Sequence, residues 1–141
     1  MKIGLDVAKK LGVAYLVAPN QILTTVYEGS QLEQVSWLLD VLGTFSGHEF
    51  FVEKLNSFVN ANTTRSLLLR TGYIQGKILE AGGTVTYVSA PQARKLQGVK
   101  DKKGMNALMP NLTNDEADAV AVLLFGLDGK VADFAINRMG V

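Results

Sequence analysis

Three short runs rich in β-branched, aliphatic and aromatic residues open the chain, at residues 2–8, 11–18 and 21–27. Gly12 and the Pro19-Asn20 pair punctuate them, and such punctuation is typical of strands joined by tight turns. The spacing therefore predicts an antiparallel meander of three strands, the first of which is expected to be central in its sheet.

After residue 30 the apolar residues alternate between helical and strand spacing. The elements expected next are a helix over 30–43, a strand from Glu49 to Leu55, a helix from Thr63 to Ala81, a strand from Thr84 to Ser89 and a short helix beginning at Pro91.

Residues 97–111 are predicted to form a loop containing Lys and Gly, Thr113 to open the last long helix, and Asp128–Arg138 to form a short terminal helix. Three linked strands followed by alternating helices and strands indicate an α/β fold, with a mixed five-stranded sheet and helices on both faces. The length of 141 residues favours one domain over residues 1–141.

Composition removes whole classes of chemistry. The chain has no cysteine and one histidine, His48, which excludes thiol catalysis, Cys-ligated zinc and multi-histidine metal sites. A net charge of +1 excludes a uniformly basic nucleic-acid coat protein, so any polyanion has to be held by a local patch. Catalysis is expected to depend on carboxylates, lysines or an oxygen-liking cation.

No segment has the composition of a membrane span. The longest apolar run, Ala119–Leu127, is less than half of the roughly 20 residues that a spanning helix needs. Lys9 and Lys10 precede the apolar stretch 11–18 as in a signal peptide, but Asp6 and the strand-like alternation argue against that interpretation. A cytoplasmic protein is expected.

Four acidic residues occupy positions where acids are costly: Asp6, Glu53, Asp115 and Asp118. Asp6 lies within the first strand, and Glu53 lies near the end of the apolar strand predicted from Glu49 to Leu55. The i, i+3 spacing of Asp115 and Asp118 places both on one face of their helix. A capping box formed by Thr113 and Glu116 would explain acids in the first helical turn, but it does not explain Asp118 in an otherwise apolar helix.

Converging carboxylates repel one another, and a divalent cation is the simplest way to neutralise them. Oxygen ligands select Mg²⁺ or Mn²⁺. Two such ions could stabilise the attacking and leaving oxygens of a phosphoryl displacement. The acids therefore predict a site for divalent cations, with two ions as the expected number.

Basic residues cluster in the segment that follows Pro91, at Arg94, Lys95, Lys100, Lys102 and Lys103. A solvated loop would account for them, but in a nearly neutral chain they are the evident place for phosphate contacts. Lys95 is expected to stabilise developing negative charge. Further basic residues lie on the long helix, at Arg65, Arg70 and Lys77.

Several of these motifs together resemble one known family. They are Ile3-Gly4-Leu5-Asp6, Gly12-Val13-Ala14, Val52-Glu53, Asn60-Ala61-Asn62-Thr63 and the Asp115/Asp118 pair followed by Ala119. These motifs are spread from Lys2 to about Gly126, and in them the chain resembles the RuvC family of Holliday-junction resolvases in the RNase H-like superfamily.

The resemblance implies an RNase H-like nuclease that uses Mg²⁺ or Mn²⁺ to nick opposed strands of four-way DNA junctions as a homodimer. Asp6, Glu53, Asp115 and Asp118 match the family's metal-binding catalytic acids. Lys95 is similar to its active-site lysine, and Lys102 to a basic residue that contacts DNA.

Two features depart from the family pattern. Asn56 stands where the family has an aromatic residue that engages the junction, and the stretch between Lys103 and Thr113 is shorter than in cellular enzymes. A phage-type member that accepts a wider range of branched DNA is therefore expected, with Asn56 among the DNA-contacting residues.

Three alternatives remain at this point. The strand bearing Asp6 and the turn into Gly12 also resemble the YqgF family, proposed to act on ribosomal RNA precursors. A non-catalytic branched-DNA-binding module would keep the fold without the reaction. An actin-like kinase or ATPase domain needs a second lobe, for which 141 residues leave no room.

Overall fold

The computed structural model describes residues 1–54 and 61–139, and the backbone alone for 61–64. In these residues one sheet contains β1 (Lys2–Asp6), β2 (Lys10–Ala18), β3 (Gln21–Glu28), β4 (Glu49–Glu53), β5 (Thr84–Val88) and β6 (Ala135–Arg138). The helices are α1 (Gln31–Leu42), α2 (Ala61–Glu80), α3 (Ala90–Gln97), α4 (Lys102–Ala107) and α5 (Asn114–Leu127).

The sheet is mixed, and its strand order is β5-β4-β1-β2-β3-β6. β1, β4 and β5 run parallel, β2 is antiparallel to both of its neighbours, and β6 runs parallel to β3. β1 therefore lies inside the sheet, as the sequence predicts. The carboxyl ends of β1 and β4 meet at one edge.

Two hydrophobic clusters cover the two faces of the sheet. On one face, Leu38 of α1 and Ile78 of α2 pack with Ile3, Leu5 and other alternate residues of the strands. On the other face, α5 lies across β1 and β2, with Ala93 of α3 and Met105 of α4 beside it. The prediction of a mixed α/β sheet with helices on both faces is confirmed.

The C-terminal part of the chain differs from its prediction. Asp128–Arg138 was expected to be helical, but it forms a short 3-10 turn, Val131–Asp133, followed by β6, which makes six strands rather than five. Asp128 adopts a left-handed conformation (φ 53°) that ends α5. A Cβ atom at Gly129 would lie 2.6 Å from the Phe134 ring, so the chain turns closely onto that ring.

The predicted loop over 97–111 also contains a helix. Asp101 caps the first turn of α4, where its Oδ1 accepts a hydrogen bond from Gly104 N at 2.8 Å, and Met105 is buried beneath it. None of the helices within residues 1–54 and 61–139 is long and apolar enough to span a bilayer.

Candidate active site

Asp6 and Glu53 lie on the same face of the sheet. Side chains alternate along a strand, so Asp6 shares a face with Gly4, and Glu53 shares one with Phe51. Gly4 and Phe51 are directly paired between β1 and β4. The two acids therefore project from the carboxyl ends of adjacent parallel strands, towards the layer that contains α5.

Two glycines let α5 approach that face closely. A Cβ atom at Gly4 would lie 2.2 Å from Ala119 O, and one at Gly12 would lie 2.1 Å from Asp115 O. Gly12 is the residue paired with Asp6 across β1 and β2. Any larger residue at Gly12 would move the first turn of α5, and with it Asp115, away from Asp6.

The start of α5 is held by a capping box. The Thr113 hydroxyl accepts from Glu116 N at 3.2 Å, and the Glu116 carboxylate accepts from Thr113 N at 3.1 Å. The capped first turn places Asp115 and Asp118 on one side of α5, where both side chains are half-buried.

Asp6 interacts with the three other carboxyl groups. Burial, and then the negative charges of Asp118, Glu53 and Asp115, raise the pKa of Asp6 from its ordinary 3.8 to about 8. Burial and the charge of Asp118 likewise raise the pKa of Glu53. Folding thus brings Asp6 within electrostatic reach of the three other acids that the sequence singles out, at a cost that a nearby positive charge reduces.

Two basic side chains partly supply that charge. Lys102 Nζ lies 3.1 Å from Asp118 Oδ2. Burial raises the pKa of Asp118, while Lys102 and Arg94 lower it, and the same two cations oppose the rise at Glu53. The structure therefore brings Lys102 and Arg94 to the acids.

The remaining basic candidates are spread over the surface. Lys95, Lys100, Lys103 and Arg65 are exposed. Lys77 lines a groove with Phe45. Because Phe45 precedes β4, Lys77 lies near the start of that strand, whereas Glu53 is at its end. Arg70 donates to Gly29 O at 2.9 Å and to Gln34 Oε1 at 3.0 Å, so its guanidinium group is already engaged. Asn56 lies outside the described residues.

The donor set fits a hard divalent cation in its chemistry. All four groups are carboxylates, the oxygen ligands that such cations prefer. Glu53 and Asp118 also line a cavity of about 20 Å³, together with Arg94 and five apolar residues. Within the described ranges, however, no group of three or more His, Asp or Glu side chains is arranged to hold an ion. Asp118 faces the ammonium group of Lys102 instead of a set of carboxylate oxygens.

A buried ionic cluster beside the site was not predicted. Glu116 is 1% exposed and accepts hydrogen bonds from Thr24 Oγ1 at 2.8 Å and from Arg138 Nε at 2.9 Å. Burial opposes ionisation of Glu116, but the hydrogen bonds from Thr113 and Thr24 and the charge of Arg138 outweigh it and lower its pKa. The sequence shows Glu116 only as a cap, because nothing in it pairs Arg138 with α5.

A larger groove lies on the other side of Glu53. Its volume is about 370 Å³, and its walls come from the end of β4, from α2 and from β5, including Lys54, Thr71, Gln75 and Tyr87. The groove makes Glu53 accessible from the side of α2.

Comparisons with known proteins identify the fold. No family model matches the chain, and no curated protein matches it. Among solved structures, that of Thermus thermophilus RuvC in complex with a Holliday junction substrate is 18% identical, with a TM-score of 0.73 over 90% of this chain and 92% of that chain. A second Thermus thermophilus RuvC structure is also 18% identical, with a TM-score of 0.68 over 90% of this chain and 93% of that one.

Proposed function

The chain has a RuvC-like fold of the RNase H-like class, and from it we propose that this protein is a metal-dependent endonuclease that resolves four-way and other branched DNA junctions by paired nicking. The observation that carries the proposal is the convergence of Asp6, Glu53, Asp115 and Asp118 at the carboxyl ends of β1 and β4. A similar fold alone would not require acids there, since a fold hosts many functions.

Asp6, Glu53, Asp115 and Asp118 would hold Mg²⁺ or Mn²⁺, with two ions expected. When bound, such ions supply Lewis-acid stabilisation of a phosphodiester and of the departing oxygen. The role of the four carboxylates would be to hold these ions beside the phosphodiester that is cleaved.

The basic residues bind DNA around this cluster. Lys102, which pairs with Asp118, and Arg94 would contact the phosphate at the acids, and the exposed Lys95, Lys100 and Lys103 would contact the neighbouring phosphates. The prediction that Lys95 acts in catalysis stays a prediction, since its side chain is exposed at the last turn of α3. Arg65 is available for DNA along α2, whereas Arg70 and Lys77 are less well placed.

Paired nicking requires two active sites, and α2 offers a surface for a second copy. Leu68, Leu69 and Leu79 are 53%, 65% and 50% exposed. A Cβ atom at Gly72 or Gly76 would meet nothing within 4 Å, so this helix is open to close packing. Such an apolar strip on a surface helix is typical of an interface, and we include a homodimer in the proposal.

The proposal is tested with a synthetic four-way junction incubated with the purified protein in Mg²⁺, in Mn²⁺ or in EDTA. We expect nicks at symmetric positions with either metal and none in EDTA. Asp118→Asn should lower the cleavage rate at least 100-fold while junction binding persists, because an amide is a poor metal ligand. Asp128→Asn is the matched control: it makes the same change at the exposed end of α5, where Asn tolerates the left-handed conformation.

Other outcomes would redirect the proposal. Cleavage of structured RNA in preference to the junction would favour the YqgF-like alternative. Tight junction binding with no cleavage in either metal would indicate a non-catalytic branched-DNA-binding module.

A further inference from the structure

Lys102 reaches the carboxylates from a firmly held backbone. It is the first residue of α4, whose first turn is capped by Asp101 and whose Met105 is 2% exposed. Met105 also lines the small cavity between Glu53 and Asp118. The Cα atom of Lys102 is thus fixed beside the site, whichever way its side chain points.

The side chain itself is free to move. Its exposed fraction is 56%, against 19% for Asp118, its partner. A lysine stem has several rotatable bonds, and the ammonium group is strongly hydrated. The ion pair can therefore open towards solvent without disturbing α4.

An ammonium group and a divalent cation compete for the same oxygens. Lys102 contacts Asp118 directly and acts electrostatically on Asp6 and Glu53. The ammonium group and a divalent cation each stabilise the clustered carboxylates, but the two positive charges would repel each other if both contacted Asp118. The two cannot both contact Asp118 without a loss of free energy.

We propose that Lys102 is the counter-ion of the metal-free site: its ammonium group has to leave Asp118 before a divalent cation can bind there, and a DNA phosphate then receives it. This inference rests on the proposed function, because it takes the acids to be metal ligands. Metal and DNA then bind cooperatively, since DNA removes the competitor and metal frees the lysine for DNA.

The test measures Mn²⁺ binding without DNA, by titration calorimetry or by the loss of free-ion EPR signal. Lys102→Met should bind Mn²⁺ on the order of tenfold more tightly than the wild type, because one competing positive charge has gone. Lys103→Met is the control, since it removes the same charge from the adjacent residue. Lys103 is exposed and makes no salt bridge in the described part of the chain. Its Mn²⁺ affinity should stay within about twofold of wild type.

A second measurement concerns the protein in EDTA. Without its counter-ion the acidic cluster is repulsive, so Lys102→Met should melt at a lower temperature than Lys103→Met, and Mn²⁺ should reverse the order.

The outcomes separate the two claims. If wild type and Lys102→Met bind Mn²⁺ equally well, or the variant binds it less well, the counter-ion role is wrong and the metal site stands. If neither protein binds Mn²⁺ up to millimolar concentrations, the metal-dependent function itself is wrong.

Discussion

At the scale of single residues, Asp6 carries the highest electrostatic cost in the site. It is half-buried beside three other acids, and its pKa of about 8 means that it holds a proton at neutral pH when no metal ion is bound. In the unfolded chain the same carboxyl is ionised above its ordinary pKa of 3.8. A carboxyl group whose pKa is raised by folding stabilises the protein below its unfolded pKa and loses that contribution as the pH rises through its folded pKa.

The stability of the metal-free protein should therefore fall between about pH 4 and pH 8, by at most roughly 1.4 kcal/mol per pH unit from this group. Asp6→Asn removes the titration, so its melting temperature in EDTA should be less dependent on pH over this window and higher than wild type at pH 8. Thermal melts followed by circular dichroism at successive pH values measure both slopes. Parallel curves for the two proteins would show that Asp6 titrates normally.

At the scale of elements, the contact of α5 with β1 and β2 builds the site. Gly4 and Gly12 remove the side chains that would hold the helix away from the strands. Glu116 then ties the first turn of α5 to Thr24 in β3 and to Arg138 in β6. Arg138 is partly exposed but Glu116 is buried, so loss of the arginine would leave the Glu116 charge uncompensated. β6 thus contributes to the placement of Asp115 and Asp118 although it contains no proposed ligand.

Replacing Gly12 with Ala should destabilise the protein by about 2 kcal/mol or more, because a backbone shift is needed to accommodate the methyl group. The same change at Gly76 in α2 should be neutral or stabilising by up to about 1 kcal/mol, since the position is open and helical. Urea denaturation of the two variants measures the difference. Equal stabilities would mean that the α5 contact is looser than the structure indicates.

Much of this element-level geometry follows from sequence. Alternation along the strands places Asp6 and Glu53, and the i, i+3 spacing places Asp115 and Asp118. The position of Lys102 does not follow from sequence. Five basic residues are clustered there, and the backbone of α4, a helix of six residues with no clear apolar repeat, determines which of them reaches the acids. β6 was missed for another reason: Ala135–Arg138 is a strand because it pairs with β3, a contact distant in sequence that the local pattern of residue types does not reveal.

At the scale of the whole molecule, the exposed Leu68, Leu69 and Leu79 form an apolar strip on α2. If a second copy covers it, Leu69→Glu should shift the protein from dimer to monomer at micromolar concentration in sedimentation velocity. Val17→Glu, an exposed apolar residue on β2, serves as the matched control and should leave the assembly unchanged. A wild-type protein that sediments as a monomer would remove the homodimer from the proposal.

The sheet order also has a kinetic consequence. Asp6, Glu53 and the α5 acids are distant in sequence, and they meet only after the parallel pairing of β1 with β4 and the docking of α5. Such non-local contacts form only once long loops have closed, and folds rich in them fold slowly. If the carboxylates meet after the rate-limiting barrier, their repulsion raises the unfolding rate and barely changes the folding rate. A cation bound at the carboxylates would lower the unfolding rate and so lengthen the lifetime of the folded molecule.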